Sequence, residues 1–200
     1  MIVDPDDIRA LAPAGHYLAL RVGFAFPLEE VNGLPSDWVD CYTRGRFMLF
    51  DPVIRWSYQN RGVIRWSEID LPDPRGVLAQ ACRHGLRYGV SVSIHDEDEG
   101  GERSFGSFLR RDREYTLEEM ERLHACVAAL HAERKPPDNL TPAEIEALSM
   151  VRDGMRLKQV AHALGVSEGA VKQRLRGARD KLGATTNAQA AARARGFGLI

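Results

Sequence analysis

Between Gly165 and Gly183 the chain reads GVSEGAVKQRLRGARDKLG, with Lys172, Arg174, Arg176, Arg179 and Lys181 inside ten residues. Cations at that density suit one kind of chemistry, the neutralisation of phosphates and the hydrogen bonding of base edges in a polyanionic duplex. Arginine and lysine bridge guanine, and a glutamine such as Gln173 reads adenine. Helical spacing sorts them. Val171, Leu175, Ala178 and Leu182 fall at i, i+4, i+7 and i+11, a single apolar stripe, so Glu168, Lys172, Gln173, Arg176 and Arg179 are expected on the outer face. Lys172 and Arg176 are then the candidates for reading bases. Arg174, Arg179 and Lys158, with the amide end of the helix at Ser167, are candidates for phosphates. A merely solvated charged face is the competing use, and the agreement of turn, cap, stripe and charge favours double-stranded DNA.

Other reactive groups form no constellation. Cys41, Cys82 and Cys126 are odd in number and widely spaced, which fits neither a disulfide framework nor a zinc site, and they are expected as buried reduced thiols. His16, His84, His95 and His124 lack metal spacing and a nucleophile partner. Asp96-Glu97-Asp98-Glu99 lacks the calcium-loop pattern and reads as a solvated hairpin loop. With no glycine-rich phosphate loop either, no cofactor, metal or catalytic activity is expected.

The elements that must position the basic helix follow from charge and punctuation. From Leu140 to Ile200 there are ten Lys and Arg against five Asp and Glu, a net charge of +5, whereas the whole 200-residue chain carries only -1. That asymmetry separates two units with different partners. HAERKPPDNLTPAE marks the break, because Pro136-Pro137 cannot continue a helix, giving units over 1–132 and 140–200 joined by a linker over 133–139.

In the first unit HYLALRVGFAF reads as a strand. GVSVSIHD alternates as a half-buried strand and pairs with SFGSFL across EDEGGER, while SDWVDCYTRGRFML and PRGVLAQACRHGLRY read as helices. Thr116 opens a capping box whose helix buries Leu117, Met120, Leu123, Val127 and Leu130. The expected fold class is α+β, an α/β/α sandwich around an antiparallel sheet.

The second unit is expected to be all-α, four helices containing a helix-turn-helix. Thr141 caps the first with Ile145, Leu148 and Val151 inward, Leu157 to Leu164 forms the second, Ser167 caps the third, and an alanine-rich fourth begins near Asn187. No stretch of about 18 uncharged apolar residues occurs, and MIVDPDDIRAL places acids where a signal peptide has bases, so a cytoplasmic protein without membrane partners is expected.

Leu140-Thr141, Glu144, Glu146, Leu148, Gly154, Val160-Ala161, Leu164, Val166-Ser167, Val171-Lys172, Leu175, Lys181-Leu182-Gly183 and Ala190 resemble the DNA-binding domain of LuxR-type regulators. Ala143 and Arg174 depart from it at positions commonly arginine and histidine. LPSDWVDCYTRGRFMLFDPVIRW, VIRWSEI and RYGVSVSI resemble the acyl-homoserine-lactone-binding domain of the quorum-sensing branch, with Trp38, Tyr42, Asp51, Pro52, Trp66 and Gly89 at its hallmark positions. The resemblance implies that Trp38 donates to a lactone carbonyl, that Asp51 accepts from the ligand amide, and that Trp66 and Tyr42 wall the ring and acyl chain. It also implies a homodimer on DNA and contact with RNA polymerase. Leu34 replaces a tyrosine of that family and Leu109 a Ser or Thr, for which Ser107 is a substitute. A helix that usually precedes IRALAPAGHY is expected to be missing. Alternatives to a ligand-gated regulator are a ligand-independent one, its cavity filled by Leu34 and Leu109, and a shortened member acting as an inhibitory heterodimer partner.

Overall fold

A computed structural model describes residues 5–23, 26–96 and 102–200, which form two compact units, Met1–Lys135 and Pro136–Ile200. In the first, a five-stranded antiparallel sheet is built from β1 (Gly15–Val22), β2 (Pro27–Asn32), β3 (Gly62–Arg65), β4 (Tyr88–His95) and β5 (Arg103–Arg110), in the order β2-β1-β5-β4-β3. Helices α1 (Pro5–Leu11), α2 (Ser36–Gly45), α3 (Pro52–Gln59), α4 (Val77–Arg83) and α5 (Leu117–Glu133) complete it. Because side chains alternate along a strand, each face has its own core. Leu18, Val90, Val92 and Phe108 pack with Ile8 of α1 and with Met120, Leu123 and Val127 of α5. On the other face Leu109 packs with Trp38 of α2 and with Val77 and Ala81 of α4. The expected sandwich is the one observed.

Several local expectations need correction. Strands β2 and β3 and helix α3 were not anticipated. Leu117, the first residue of α5, is exposed, and His131 takes the inward position one helical repeat beyond Val127. Among the cysteines, Cys82 is exposed and the other two are half-buried. Of the acidic stretch, Glu97, Asp98 and Glu99 lie outside the described residues, but Asp96 is no loop ornament. It accepts from the buried Arg21 guanidinium and lies 3.0 Å from His131 Nε2.

That contact belongs to a polar joint behind the sheet. Arg21 sits at a bulge in β1 with φ +52°, a conformation rare for a side chain with a Cβ. Its amide donates to Ser104 Oγ at 2.9 Å and its Nε to the His131 carbonyl at 2.8 Å. Asp96 only accepts, so His131 Nε2 carries a proton toward it at 3.0 Å, while His131 Nδ1 lies 2.7 Å from Ser104 Oγ. Arg21, Ser104, His131 and Asp96 therefore all have partners, and the last turn of α5 is tied to β1, β5 and the end of β4.

The second unit comprises α6 (Pro142–Arg152), α7 (Leu157–Leu164), α8 (Glu168–Leu182) and α9 (Asn187–Gly196). The stripe of Val171, Leu175, Ala178 and Leu182 is buried against Leu148, Val160 and Ala190. In α6 the buried face is centred on Glu144, Ala147 and Leu148, while Ile145 and Val151 are only half-buried. The face is rotated because Glu144 closes a capping box, accepting from Thr141 N at 2.7 Å, and takes an ion pair from Lys181 Nζ at 2.8 Å. Burial works to raise the Glu144 pKa, and the Lys181 and Thr141 contacts outweigh it, holding the carboxyl below its usual range. Among the described residues no helix is long and apolar enough to cross a membrane.

Candidate functional site

Two features carry the chemistry, one in each unit. In the first, a cavity of about 260 Å³ opens between the sheet and α2, α3 and α4. Trp38, Tyr42, Asp51 and Trp66, far apart in sequence, all line it. α2 presents Trp38 and Tyr42 one turn apart on one face, with ring centroids 5.5 Å apart in an edge-on arrangement. Asp51 is fixed as the cap of α3: its Oδ1 accepts from Val53 N at 2.8 Å, and its Oδ2 accepts from the Tyr42 hydroxyl at 2.7 Å. Both of these donors are neutral. Burial raises the Asp51 pKa against those hydrogen bonds, and burial with the nearby carboxylate drives that of Tyr42 well above its ordinary value.

Trp66 lies flat against the sheet at Gly89, where a Cβ would come within 2.3 Å of its ring; the glycine is what lets the indole approach. The Trp66 N–H donates to Ser91 Oγ at 3.3 Å, and Ser91 lies 3.5 Å from Ser107 Oγ, itself on the cavity wall. Leu34 and Leu109 line the space rather than fill it. The deep wall is Trp38, Asp51, Val53, Val77, Ala81 and Leu109, all buried. The mouth is polar and exposed, formed by Glu30 and Asn32 of β2 and by Thr43 and Met48 across from them. Sequence reasoning missed Tyr17, Glu30 and Phe105, because a polar edge strand such as PLEEVN carries little hydrophobic signal and the wall forms only when β1, β2 and β5 pair.

An enclosed, largely apolar space with a few convergent polar groups holds a small amphiphile and orients it. No group of His, Cys, Asp or Glu able to hold a metal ion occurs among the described residues.

In the second unit Gly165, with φ +64°, turns the chain between α7 and α8, and Ser167 Oγ accepts from Ala170 N at 3.1 Å. Lys158, Lys172, Gln173 and Arg176 are exposed. Arg174 is half-buried. Arg179, expected on the outer face, is also half-buried, and its Nη1 donates to Asn187 Oδ1 at 2.6 Å, joining α8 to α9. Lys181 is spent on Glu144 and on the Asn139 carbonyl. Among the candidate cations, Lys158 of α7 and Lys172 and Arg176 of α8 are thus the exposed ones, and Arg174 and Arg179 are half-buried.

The family described as autoinducer binding domain matches residues 20–135, and that described as bacterial regulatory proteins, luxR family, matches residues 138–194. Transcriptional activator protein VanR of Vibrio anguillarum is 28% identical over 179 residues, 82% of this chain and 73% of its own length. Transcriptional activator protein LuxR of Aliivibrio fischeri is 26% identical over 188 residues, 84% of this chain and 73% of its own. Among solved structures the chain is similar in fold to SdiA of Escherichia coli, with TM-score 0.50 and 24% identity over 98% of this chain and 87% of that one. It is equally similar to SdiA in complex with octanoyl-rac-glycerol, with TM-score 0.50 and 24% identity over 96% and 86%.

Proposed function

This chain belongs to the LuxR family of bacterial transcriptional regulators, in its autoinducer-binding, quorum-sensing form, and on that premise we propose how its two sites are used. A small amphiphile of the acyl-homoserine-lactone kind enters the cavity of the first unit. Trp38 and Asp51 fix its polar head, and Trp66 and Tyr42 wall it. Occupancy favours a homodimer, in the cytoplasm, whose α8 helices enter successive major grooves of double-stranded DNA about one helical turn apart. Lys172, Gln173 and Arg176 read bases, while Lys158, Arg174, Arg179 and the amide end at Ser167 hold phosphates. The relatives named transcriptional activators support a further contact with RNA polymerase.

The observation that carries this reading is the buried Asp51 carboxylate, 6% exposed and without a cationic partner among the described residues, on the wall of an open cavity. A carboxylate held in that way by neutral donors keeps acceptor capacity for a ligand N–H. The same cavity counts against the version in which leucines fill the space. A ligand shifts a conformational equilibrium only by binding the two states with different affinity. Binding of the full chain to an inverted-repeat promoter is therefore measured with and without N-octanoyl-homoserine lactone and its shorter and longer homologues. DNA affinity rises with ligand, and Asp51→Asn loses that response. Equal DNA binding under all these conditions, in the parent protein and the variant alike, overturns the ligand-gated reading.

A further inference from the structure

The charged side chains on the cavity wall are of one sign. Among the described residues that line it, Asp51 and Glu30 are the ionisable carboxylates, and no lysine, arginine or histidine accompanies them. They stand at opposite depths: Asp51 is buried on the deep wall, and Glu30 is exposed at the mouth on the edge strand β2. Neither is neutralised. Asp51 is met by a phenol and a backbone amide, and Glu30 forms no ion pair among the described residues, in contrast to Glu29 beside it, which accepts from Arg134 at 2.5 Å. Strand alternation explains the difference, since consecutive residues of β2 point to opposite faces and Glu30, opposite Ala19 in the register, shares the cavity face with Tyr17 and Asn32. A third carboxylate, Asp73, caps α4 through Val77 N at 2.7 Å and Leu78 N at 3.0 Å and adds its field to that at Asp51. Burial and then Glu30, by its charge and by accepting a hydrogen bond from the Tyr17 hydroxyl, push that hydroxyl up to about 12.

We infer that Glu30 is a specificity residue at the mouth of the cavity that turns away amphiphiles with carboxylate head groups. The inference rests on the reading of the cavity as a ligand site and narrows its ligand class. An acyl chain ending in a carboxylate must pass the exposed Glu30 at the mouth and then, shedding its hydration, approach the buried Asp51, with no guanidinium or ammonium on the wall to offset either. An amide, ester, lactone or diol head of the same length faces no such penalty and offers N–H or O–H groups to the Asp51 oxygens. A free fatty acid and a hydrolysed, ring-opened acyl-homoserine lactone are both excluded on these grounds.

Four probes test this: N-octanoyl-homoserine lactone, its ring-opened acid, octanoyl-rac-glycerol and octanoate. Each is titrated into the full chain at neutral pH and followed by the fluorescence of Trp38 and Trp66, with calorimetry as a second readout. The neutral member of each pair is expected to bind on the order of 100-fold more tightly than the acid, a difference of about 2.7 kcal/mol. Glu30→Gln narrows that ratio by about tenfold, and Glu30→Lys narrows it further. Acids that match their neutral counterparts, or a ratio that neither variant moves, overturn the inference while leaving the ligand site intact. Absence of binding by all four probes overturns the inference together with the reading beneath it.

Discussion

Replacing Gly177 by alanine separates intrinsic helix preference from the packing of Glu144. Gly177 lies inside α8, where alanine is ordinarily favoured over glycine by about 0.8–1.0 kcal/mol. Here the added Cβ falls 2.4 Å from Glu144 Oε1. A glutamate tip normally swings aside at small cost, but this one is pinned, because its Oε2 accepts from Thr141 N and from Lys181 Nζ. Displacing it weakens a helix cap, about 0.5–2 kcal/mol, and a charge-assisted hydrogen bond, about 1.5–3 kcal/mol. Set against the propensity gain, the net expectation is a loss of roughly 1–4 kcal/mol, at about 4–8 °C of melting temperature per kcal/mol for a unit this small. Gly169 supplies the control, since it lies in the same helix and its added Cβ meets only Ser167 Oγ, at an ordinary 3.6 Å. Gly169→Ala leaves stability unchanged or raises it. Thermal and urea unfolding of the full chain, followed by far-ultraviolet circular dichroism, reads both variants. Equal stabilisation by the two alanines refutes the claim that Glu144 is held rigidly under α8.

Gly89→Ala drives a methyl group into the Trp66 ring, 2.3 Å away, so it costs about 1–3 kcal/mol by overpacking and shifts tryptophan emission; an unchanged spectrum and melting point contradict the contact. Glu144 has a lowered pKa, so its contribution to stability is complete above 4.5 and is lost as pH falls through the folded value. Glu144→Gln is expected to flatten the pH dependence of unfolding in that acid range, which denaturant titrations from neutral to acid pH will reveal. Lys172→Ala or Arg176→Ala weakens operator binding by about 1–3 kcal/mol and relaxes sequence preference, whereas Arg174→Ala weakens all sequences alike, as competition with unrelated DNA at fixed salt distinguishes. Arg179→Ala also weakens all sequences alike, and through the lost Asn187 contact it lowers the melting point of the unit as well.

The legible parts of the sequence were those whose physics is local. A stripe such as Val171, Leu175, Ala178 and Leu182 fixes which side of a helix is buried, and Thr116 and Thr141 announce the starts of α5 and α6 because each cap and its glutamate stand three residues apart. The β4–β5 pair was legible from the alternation in GVSVSIHD. What escaped depends on distant partners. PLEEVN has too few apolar residues to look like a strand, since it is an edge with one neighbour. Glu144 looks like a surface residue until Lys181 is seen to reach it. Arg21 and His131, 110 positions apart, give no local sign that they meet. For the cavity, Trp38, Tyr42, Asp51 and Trp66 were nameable by resemblance alone; helical spacing pairs Trp38 with Tyr42, but nothing local says that Asp51 and Trp66 join them on one wall, and Glu30 was invisible altogether.

The two faces of the sheet are built to unequal tolerances. Behind it, α5 is welded on by close-packed apolar side chains and by the Arg21, Ser104, His131 and Asp96 joint, held even at the expense of a left-handed arginine backbone. In front of it lies empty volume bordered by the short helices α2, α3 and α4. Densely packed interiors barely compress, so a guest molecule is accommodated by the front layer alone. Strand β5 and the tail of α5, from which the polypeptide departs toward Pro136, then travel as one stiff plate.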